Sequence, residues 1–272
     1  MTKSGTLYIC PTPIGNLEDI TLRVIRILKE VDFIACEDTR VTQKLLNHYE
    51  IKTPAVSYHK FSEKEKSGYI IGRIKNGENC SLVSDAGTPL ISDPGCELIK
   101  EAYLNNIKVI PLPGASSVTT ALSAGILTEN SFVFLGFLPR TFNEKEKILS
   151  KYSDINAVFF ESPNRLVTTL EDICKILGER KVVICRELTK IYEEIKTDKV
   201  TNFIEYYKQA SPKGEIVVII EGVKSEKTPE ETEVLEKIKL LQKEGYSTKD
   251  ISRIISLLYN YPKKEVYNLA LK

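Results

Sequence analysis

Short apolar runs recur along this chain, and between them apolar residues return every three or four positions. Thr6-Leu7-Tyr8-Ile9-Cys10 is the first run, and Val24, Ile25, Leu28 and Val31 form the stripe that follows. Runs of this length predict strands, and the stripe predicts one face of a helix. Phe33-Ile34-Ala35-Cys36, Pro54-Ala55-Val56-Ser57-Tyr58, Ser81-Leu82-Val83-Ser84 and Lys108-Val109-Ile110-Pro111-Leu112 continue the series. Asp93-Pro94 predicts a helix start, with Asp as N-cap and Pro at the first helical position, leading into Leu98, Ile99, Ala102 and Tyr103. Continuous apolar strands separated by helices predict a largely parallel sheet covered on both faces.

After a helix over 116–125 the pattern restarts. Residues 131–138, 157–160, 181–185 and 215–220 predict strands. Leu166, Leu170, Ile173 and Leu177 predict a helix stopped by Gly178. The boundary between the halves falls near 115–130, where the helix gives way to Ile126-Leu127-Thr128-Glu129-Asn130. The expected organisation is an N-terminal αβα domain over 1–120, a second over 121–223 and a helical extension over 224–272. In that extension the strands stop and Glu/Lys helices begin. A break at Gly245 precedes an N-capped helix with Ile251, Ile254, Ile255 and Leu258 as its apolar face, and a short last helix starts at Lys263. Two short helices joined by a turn fit a helix-turn-helix outline. A plain helical cap fits the same pattern.

Composition adds bounds. A chain of 272 residues suggests two modest domains at ~150 residues each. Its 42% apolar content is enough for a core and excludes a mainly disordered chain. No apolar run approaches the ~20 residues of a membrane span. The first residues lead straight into a strand pattern, too short for a signal peptide. The net charge of +1 argues against a sequence-blind nucleic-acid binder but leaves room for a local basic patch. Six cysteines, at 10, 36, 80, 96, 174 and 185, form no CxxC pair. Cys10, Cys36, Cys80 and Cys185 fall in or at the ends of strand-like runs, as buried reduced thiols of a cytoplasmic protein would. With two histidines and no HExxH, no metal site is expected. GxGxxG after the first strand and GxxxxGK[ST] are both missing, which excludes the usual dinucleotide and P-loop fingerprints.

Three loops follow strands, where open α/β sheets hold ligands. Pro11-Thr12-Pro13-Ile14-Gly15-Asn16 makes a stiff turn that a tight strand-to-helix connection would also explain. The stretch from Asp85 to Gly95 is the most informative, with two glycines, two prolines and two aspartates in eleven residues. Glycine admits close backbone approach, and the amides of a helix N-terminus suit an anion. Asp93 is set aside, because its N-cap role accounts for it. The third loop, Pro111 to Ser117, joins a strand to a helix through Gly and small hydroxyl residues, which also fits simple N-capping. Polar clusters sit at other strand ends: Glu37-Asp38-Thr39-Arg40, Tyr58-His59-Lys60, Glu161-Ser162-Pro163-Asn164-Arg165 and Arg186-Glu187-Leu188-Thr189-Lys190. Each alone fits a solvated loop. Their recurrence in both halves points to a polar cleft between two domains.

The ordered motifs TPIGNLEDITLR, EDTR, SYHK, SDAGTPLISDPG, PGASS, GFLPR, ESPNR, RELTK and PKGE, with the terminal KKEVYNLAL, make the chain resemble the tetrapyrrole-methylase superfamily, the class III S-adenosylmethionine-dependent methyltransferases. The resemblance runs from Gly5 to Lys272. It departs from the common pattern at Cys10-Pro11, at Lys60, where an acid is common, and at Leu90, where Gly is common. The resemblance implies two αβα domains with the cofactor, S-adenosylmethionine, in the cleft between them. Ile14, Gly15, Ser84, Asp85, Ala86, Gly87, Thr88, Ser116 and Ser117 would line one wall. Glu161, Leu188, Gly214 and Glu215 would line the other. It also implies a homodimer. Within the superfamily the likeness is to the branch acting on small-subunit ribosomal RNA, so the implied substrate is the 2'-hydroxyl of a cytidine in the decoding region of 16S rRNA, within the assembled small ribosomal subunit.

A ribose hydroxyl is a weak nucleophile, so a base should take its proton. Glu37, Asp38, His59 and Asp85 are candidate bases; of these, Glu37, Asp38 and His59 are expected to face the ribose, and Asp85 to hold the cofactor. Arg40, Arg140 and Arg165 are expected phosphate contacts, since the guanidinium fork matches phosphate oxygens. From Gly245 onward, Lys249, Arg253, Lys263, Lys264 and Lys272 against Asp250 and Glu265 give a net +3, an expected rRNA contact. The competing readings are a precorrin-type tetrapyrrole methylase on the same fold and a non-catalytic ribosome-binding protein.

Overall fold

The computed structural model describes residues 4–59, 63–125, 131–210, 212–223, 231–259 and 261–271. Lys60, residues 126–130, Lys224 and Lys272 lie outside the described residues. The chain divides into two compact units, Met1–Gly222 and Val223–Lys272. No helix among the described residues is long and apolar enough to cross a membrane.

The first unit holds two five-stranded sheets. β1 (Thr6–Ile9), β2 (Phe33–Cys36), β3 (Ala55–Ser57), β4 (Cys80–Val83) and β5 (Lys108–Pro111) form the first, in order β3-β2-β4-β1-β5. All its pairings are parallel, as the apolar runs predict. β2 and β4 are buried at every residue, which is why their sequences are apolar without alternation. Helices α1 (Leu22–Glu30), α2 (Thr39–His48), α3 (Glu63–Lys75), α4 (Cys96–Leu104) and α5 (Ser117–Ala124) return the chain between strands. One core packs Leu7, Ile70, Ile74 and Leu98 together, and another packs Cys10, Val24, Leu28 and Leu46. Cys10, Cys36, Cys80 and Cys185 are buried free thiols.

The second sheet comprises β6 (Phe132–Phe137), β7 (Asn156–Glu161), β8 (Lys181–Arg186), β9 (Glu194–Lys199) and β10 (Ile216–Ile220), in order β6-β7-β10-β8-β9. Among its strands, β6 and β7 pair in parallel, and the other pairings are antiparallel. Hydrophobic patterning predicts no strand at β9. Its residues Glu-Ile-Lys-Thr-Asp-Lys are charged and mostly exposed, as an edge strand protected against further pairing should be. α6 (Phe142–Lys151), α7 (Leu166–Leu177) and α8 (Val200–Gln209) complete this half. α7 buries Leu166, Leu170 and Ile173 and stops at Gly178, where the stripe predicts it.

The start of α4 corrects the sequence reading. The helix begins at Cys96 with Gly95 as N-cap, so Asp93 is not its cap. Leu90 and Ser92 adopt positive φ, so the loop turns twice before the helix starts.

The second unit is a three-helix cluster: α9 (Glu231–Lys243), α10 (Thr248–Tyr259) and α11 (Lys263–Ala270) around Val234, Ile238, Ile251, Ile255 and Val266. Ser247 caps α10, its hydroxyl accepting from the Asp250 amide at 3.2 Å. Ile251 and Ile255 are buried as predicted, but Leu258 is exposed, and Ser252 is buried on the helix instead.

Candidate active site

Loops at the strand ends of both sheets enclose a cavity of about 420 Å³ within the first unit. That volume lies in the usual range for small-molecule sites. One side comes from Ile14, Glu37, the residues from Asp85 to Thr88, Ile91 to Asp93, and Ser116-Ser117. The other comes from Phe137, Phe160, Glu161, Cys185, Leu188 and the strand entry Gly214 to Val217.

The first side is stitched across three loops. Thr12 and Gly87 exchange both backbone hydrogen bonds at 2.9 Å. The Thr12 hydroxyl donates to the Ser84 carbonyl, and the Thr88 hydroxyl donates to the Ala115 carbonyl, each at 3.0 Å. Gly87 sits at φ +78°, and a Cβ there would stand 3.2 Å from Ile14 Cγ2. Only glycine takes that turn without strain while leaving the wall open. At the start of α5, Ser116 makes no side-chain cap bond. The helix entrance therefore keeps amides available for an anionic group.

The second side is tied by charge. The Glu187 carboxylate accepts from the Glu215 amide at 2.8 Å and from Lys190 Nζ at 2.9 Å, and Lys190 also reaches Glu215 Oε2 at 2.7 Å. Hydrogen bonding to the Glu215 amide and to Lys190 holds the Glu187 carboxyl below its ordinary range. This clamp fixes the turn at Gly214-Glu215 against the loop that carries Leu188. The first loop reaches the same segment: the Asn16 amide donates to Thr189 Oγ1 at 3.1 Å.

Three carboxylates face the cavity from the first side. Burial raises the Asp93 pKa to about 6, with the neighbouring Glu37 and Asp85 charges adding to the rise. Burial also raises Glu37, helped by the Asp85 charge and opposed by His59. Asp85 Oδ1 accepts from the Asp38 amide at 3.0 Å. Asp93 is the residue that sequence reasoning missed, because Asp-Pro before a helix reads as a cap. Glu37 in the preceding strand-end cluster was the available hint that acids gather there.

The other expected site residues lie as follows. Asp38 does not line this cavity. Its carboxylate caps α2 through the Arg40 amide and pairs with the Arg40 guanidinium at 2.6 Å, which holds its pKa down to about 2. A carboxylate held that low is a poor proton acceptor at neutral pH. Arg40 is 87% exposed and spends one edge of its fork on Asp38. His59 is exposed at the end of β3, off the cavity wall. Gly15 and Ser84 line a smaller neighbouring cavity. Ser84 is buried, and its hydroxyl donates to the Ala86 and Gly87 carbonyls, so it shapes the loop. Glu161 is on the wall but fully committed: it accepts from the Ser162 amide at 2.7 Å and the Thr169 hydroxyl at 2.6 Å. Arg165 donates to the Leu138 and Pro139 carbonyls at 2.8 and 2.9 Å, so it braces a loop rather than reaching outward for phosphate. Arg140 is exposed in the first unit, and Lys249, Arg253, Lys263 and Lys264 are exposed in the second. Burial pushes the Cys185 thiol up to about 11, which leaves it inert on the wall.

The residues fit S-adenosylmethionine. Ile14, Phe137, Phe160, Leu188 and Val217 give an apolar shelf for a flat ring. The α5 entrance suits a carboxylate, and the Glu37-Asp85-Asp93 group suits a cationic centre.

The profile of tetrapyrrole (corrin/porphyrin) methylases matches residues 6–204. "Ribosomal RNA small subunit methyltransferase I" of Halalkalibacterium halodurans is 44% identical, covering 97% of this chain and 94% of that protein. The protein of that name from Bacillus subtilis is 43% identical, covering 97% and 93%. The one from Thermotoga maritima is 44% identical over 219 residues, which cover 80% of this chain and 99% of that protein. Among solved structures, a diphthine synthase aligns with a TM-score of 0.63 at 16% identity, covering 80% of this chain and 90% of that one. A Thermus thermophilus uroporphyrin-III C-methyltransferase complexed with S-adenosylhomocysteine aligns at 0.58 and 17%, covering 80% and 98%. The structures share the fold, and the full-length relatives share the sequence: the chain belongs to the tetrapyrrole methylase family.

Proposed function

We propose that this chain transfers a methyl group from S-adenosylmethionine to the ribose 2'-hydroxyl of a cytidine in 16S rRNA, within the assembled small subunit. The observation that carries the chemistry is the cavity itself, which sets carboxylates with raised pKa values beside an apolar shelf. The substrate class rests on relatives of 43–44% identity named for small-subunit ribosomal RNA. The tetrapyrrole-acting proteins share only 16–18% of positions and support the fold alone.

When bound, S-adenosylmethionine supplies a methyl group on a sulfonium. Ile14, Gly87, Ser116, Ser117, Leu188 and the segment 214–217 would hold it. Asp93 accepts the proton of the ribose hydroxyl at its carboxylate, whose pKa is raised to about 6 by burial, with the Glu37 and Asp85 charges adding to the rise. A base so placed typically contributes ~10²–10⁴ in rate. The sheets with their helices act as two αβα domains, divided near residue 120. The second unit grips rRNA, and the enzyme works as a homodimer; the highly exposed Ile191 and Tyr192 support an apolar partner there.

The test is equilibrium titration with S-adenosylmethionine, then methyl transfer to small subunits lacking the modification, with the methylated nucleotide mapped and the oligomer sized by sedimentation. One methylated cytidine ribose is the expected result. Cofactor binding without RNA methylation, but with transfer to a tetrapyrrole, would establish the competing enzyme reading. No cofactor binding at all would leave a non-catalytic ribosome-binding protein.

A further inference from the structure

A second cavity of about 220 Å³ adjoins the first and shares Asp85 with it. It lies between the first loop and α2, and apart from Asp85 none of its lining residues is on the wall of the larger cavity. We propose that this second cavity seats the nucleotide that carries the methyl-accepting hydroxyl, with Asp85 at the junction where that hydroxyl meets the cofactor cavity. The proposal rests on the RNA methyltransferase reading and adds where on the chain the target nucleotide binds.

Four observations point to a nucleotide. The cavity is lined by apolar Leu17, Val41 and Leu45. Leu17 and Val41 remain 39% exposed, which leaves apolar surface for a flat base to cover. Thr42 on the same wall is buried, and the weakly polar Cys36 thiol is all that its hydroxyl meets for hydrogen bonding among the described residues. A buried hydroxyl with so weak a partner gains when a ligand's polar edge satisfies it. Lys44 lines the cavity, and exposed Arg40 stands one helical turn before it on α2, so a cationic row borders the pocket where a phosphate would lie. The site is also held in shape before binding. The Tyr49 hydroxyl donates to the Leu17 carbonyl, and Asn16 caps the short 3-10 turn that carries Leu17.

Three single substitutions test this, each assayed for S-adenosylmethionine affinity and for methyl transfer to small subunits. Val41→Trp fills the cavity from a part-exposed position. It should lower kcat/KM for subunits at least about tenfold while cofactor affinity stays within about twofold. Lys44→Ala should raise KM for subunits and reduce the salt dependence of binding by about one unit of slope. Thr42→Val should raise KM with little change in kcat. Wild-type turnover by Val41→Trp would overturn the proposal. So would a parallel loss of cofactor affinity, because the second cavity would then belong to the cofactor site. Cytidine 5'-monophosphate gives a readout independent of turnover. Added to the wild-type chain, it should shift the amide resonances of 15–17 and 41–45. Shifts confined to the larger cavity would sink the proposal. Shifts at 41–45 without any RNA methylation would sink the enzyme reading alone.

Discussion

Asp93 carries the most consequence of any single side chain. Half-buried beside Glu37 and Asp85, it has a pKa raised to about 6 because its charged form is poorly solvated and repelled. A base must be ionised to act, so turnover should rise with pH through about 6 and level off above it. Asp93→Asn should lower kcat by ~10²–10⁴. Glu37→Gln removes a negative neighbour, so it should move the acid limb to lower pH with a smaller loss in kcat. An unchanged profile in Glu37→Gln would refute the coupling. Stability runs the opposite way: the raised pKa favours the folded state below the unfolded pKa, and that contribution is lost as pH rises through about 6. Leu90, three residues earlier, sits at φ +75°, where a glycine would be relaxed. Its side chain instead packs against the core of the first sheet, and that packing is what holds the strained loop.

At the scale of elements, the strands and most helices were legible because the central strands, buried on both faces, are uninterrupted apolar runs and the helices carry apolar stripes. β9 was not, since an exposed edge strand with one Ile among charged and polar residues looks like a loop. The antiparallel β10 was found as a strand but not in its direction, because hydrophobicity carries no record of pairing sense. The contact between α6 and α7 was equally invisible. Lys145 is 2% exposed, and its Nζ meets Asp172 Oδ2 at 2.6 Å. The two lie 27 positions apart, and in sequence each reads as a solvated charge. Lys145→Met should leave a buried carboxylate unpaired and cost roughly 3–5 kcal/mol, while Lys145→Met with Asp172→Leu should recover most of it. Chemical denaturation of both variants is the check. A loss under about 1 kcal/mol in the single variant would show that water or rearrangement compensates.

At the scale of the molecule, every residue lining the larger cavity belongs to the first unit. The Thermotoga maritima relative matches over 80% of this chain and nearly all of its own length, and the unmatched fifth has the size of the second unit. The second unit has its own core and exposes Lys249, Arg253, Lys263 and Lys264. Replacing these four by alanine should weaken binding to small subunits and flatten its salt dependence by up to about four units of slope, because each cation that neutralises a phosphate releases about one counterion. S-adenosylmethionine affinity should not change. Unaltered subunit binding in the fourfold variant would make the unit a helical cap and nothing more.

What the sequence determined by itself is the succession of strands and helices apart from β9, the family, and the three loops at strand ends, since all of these are written in local periodicity and contiguous motifs. The tertiary structure decided which of the polar residues share a cavity. Asp38, Glu161 and Arg165 looked like free chemistry and are largely spent on capping, turn-holding and loop-bracing. Asp93 looked like a cap and faces the cavity. A side chain's role follows from whether a partner has already taken its hydrogen bonds, and such partners come from segments that sequence distance does not relate.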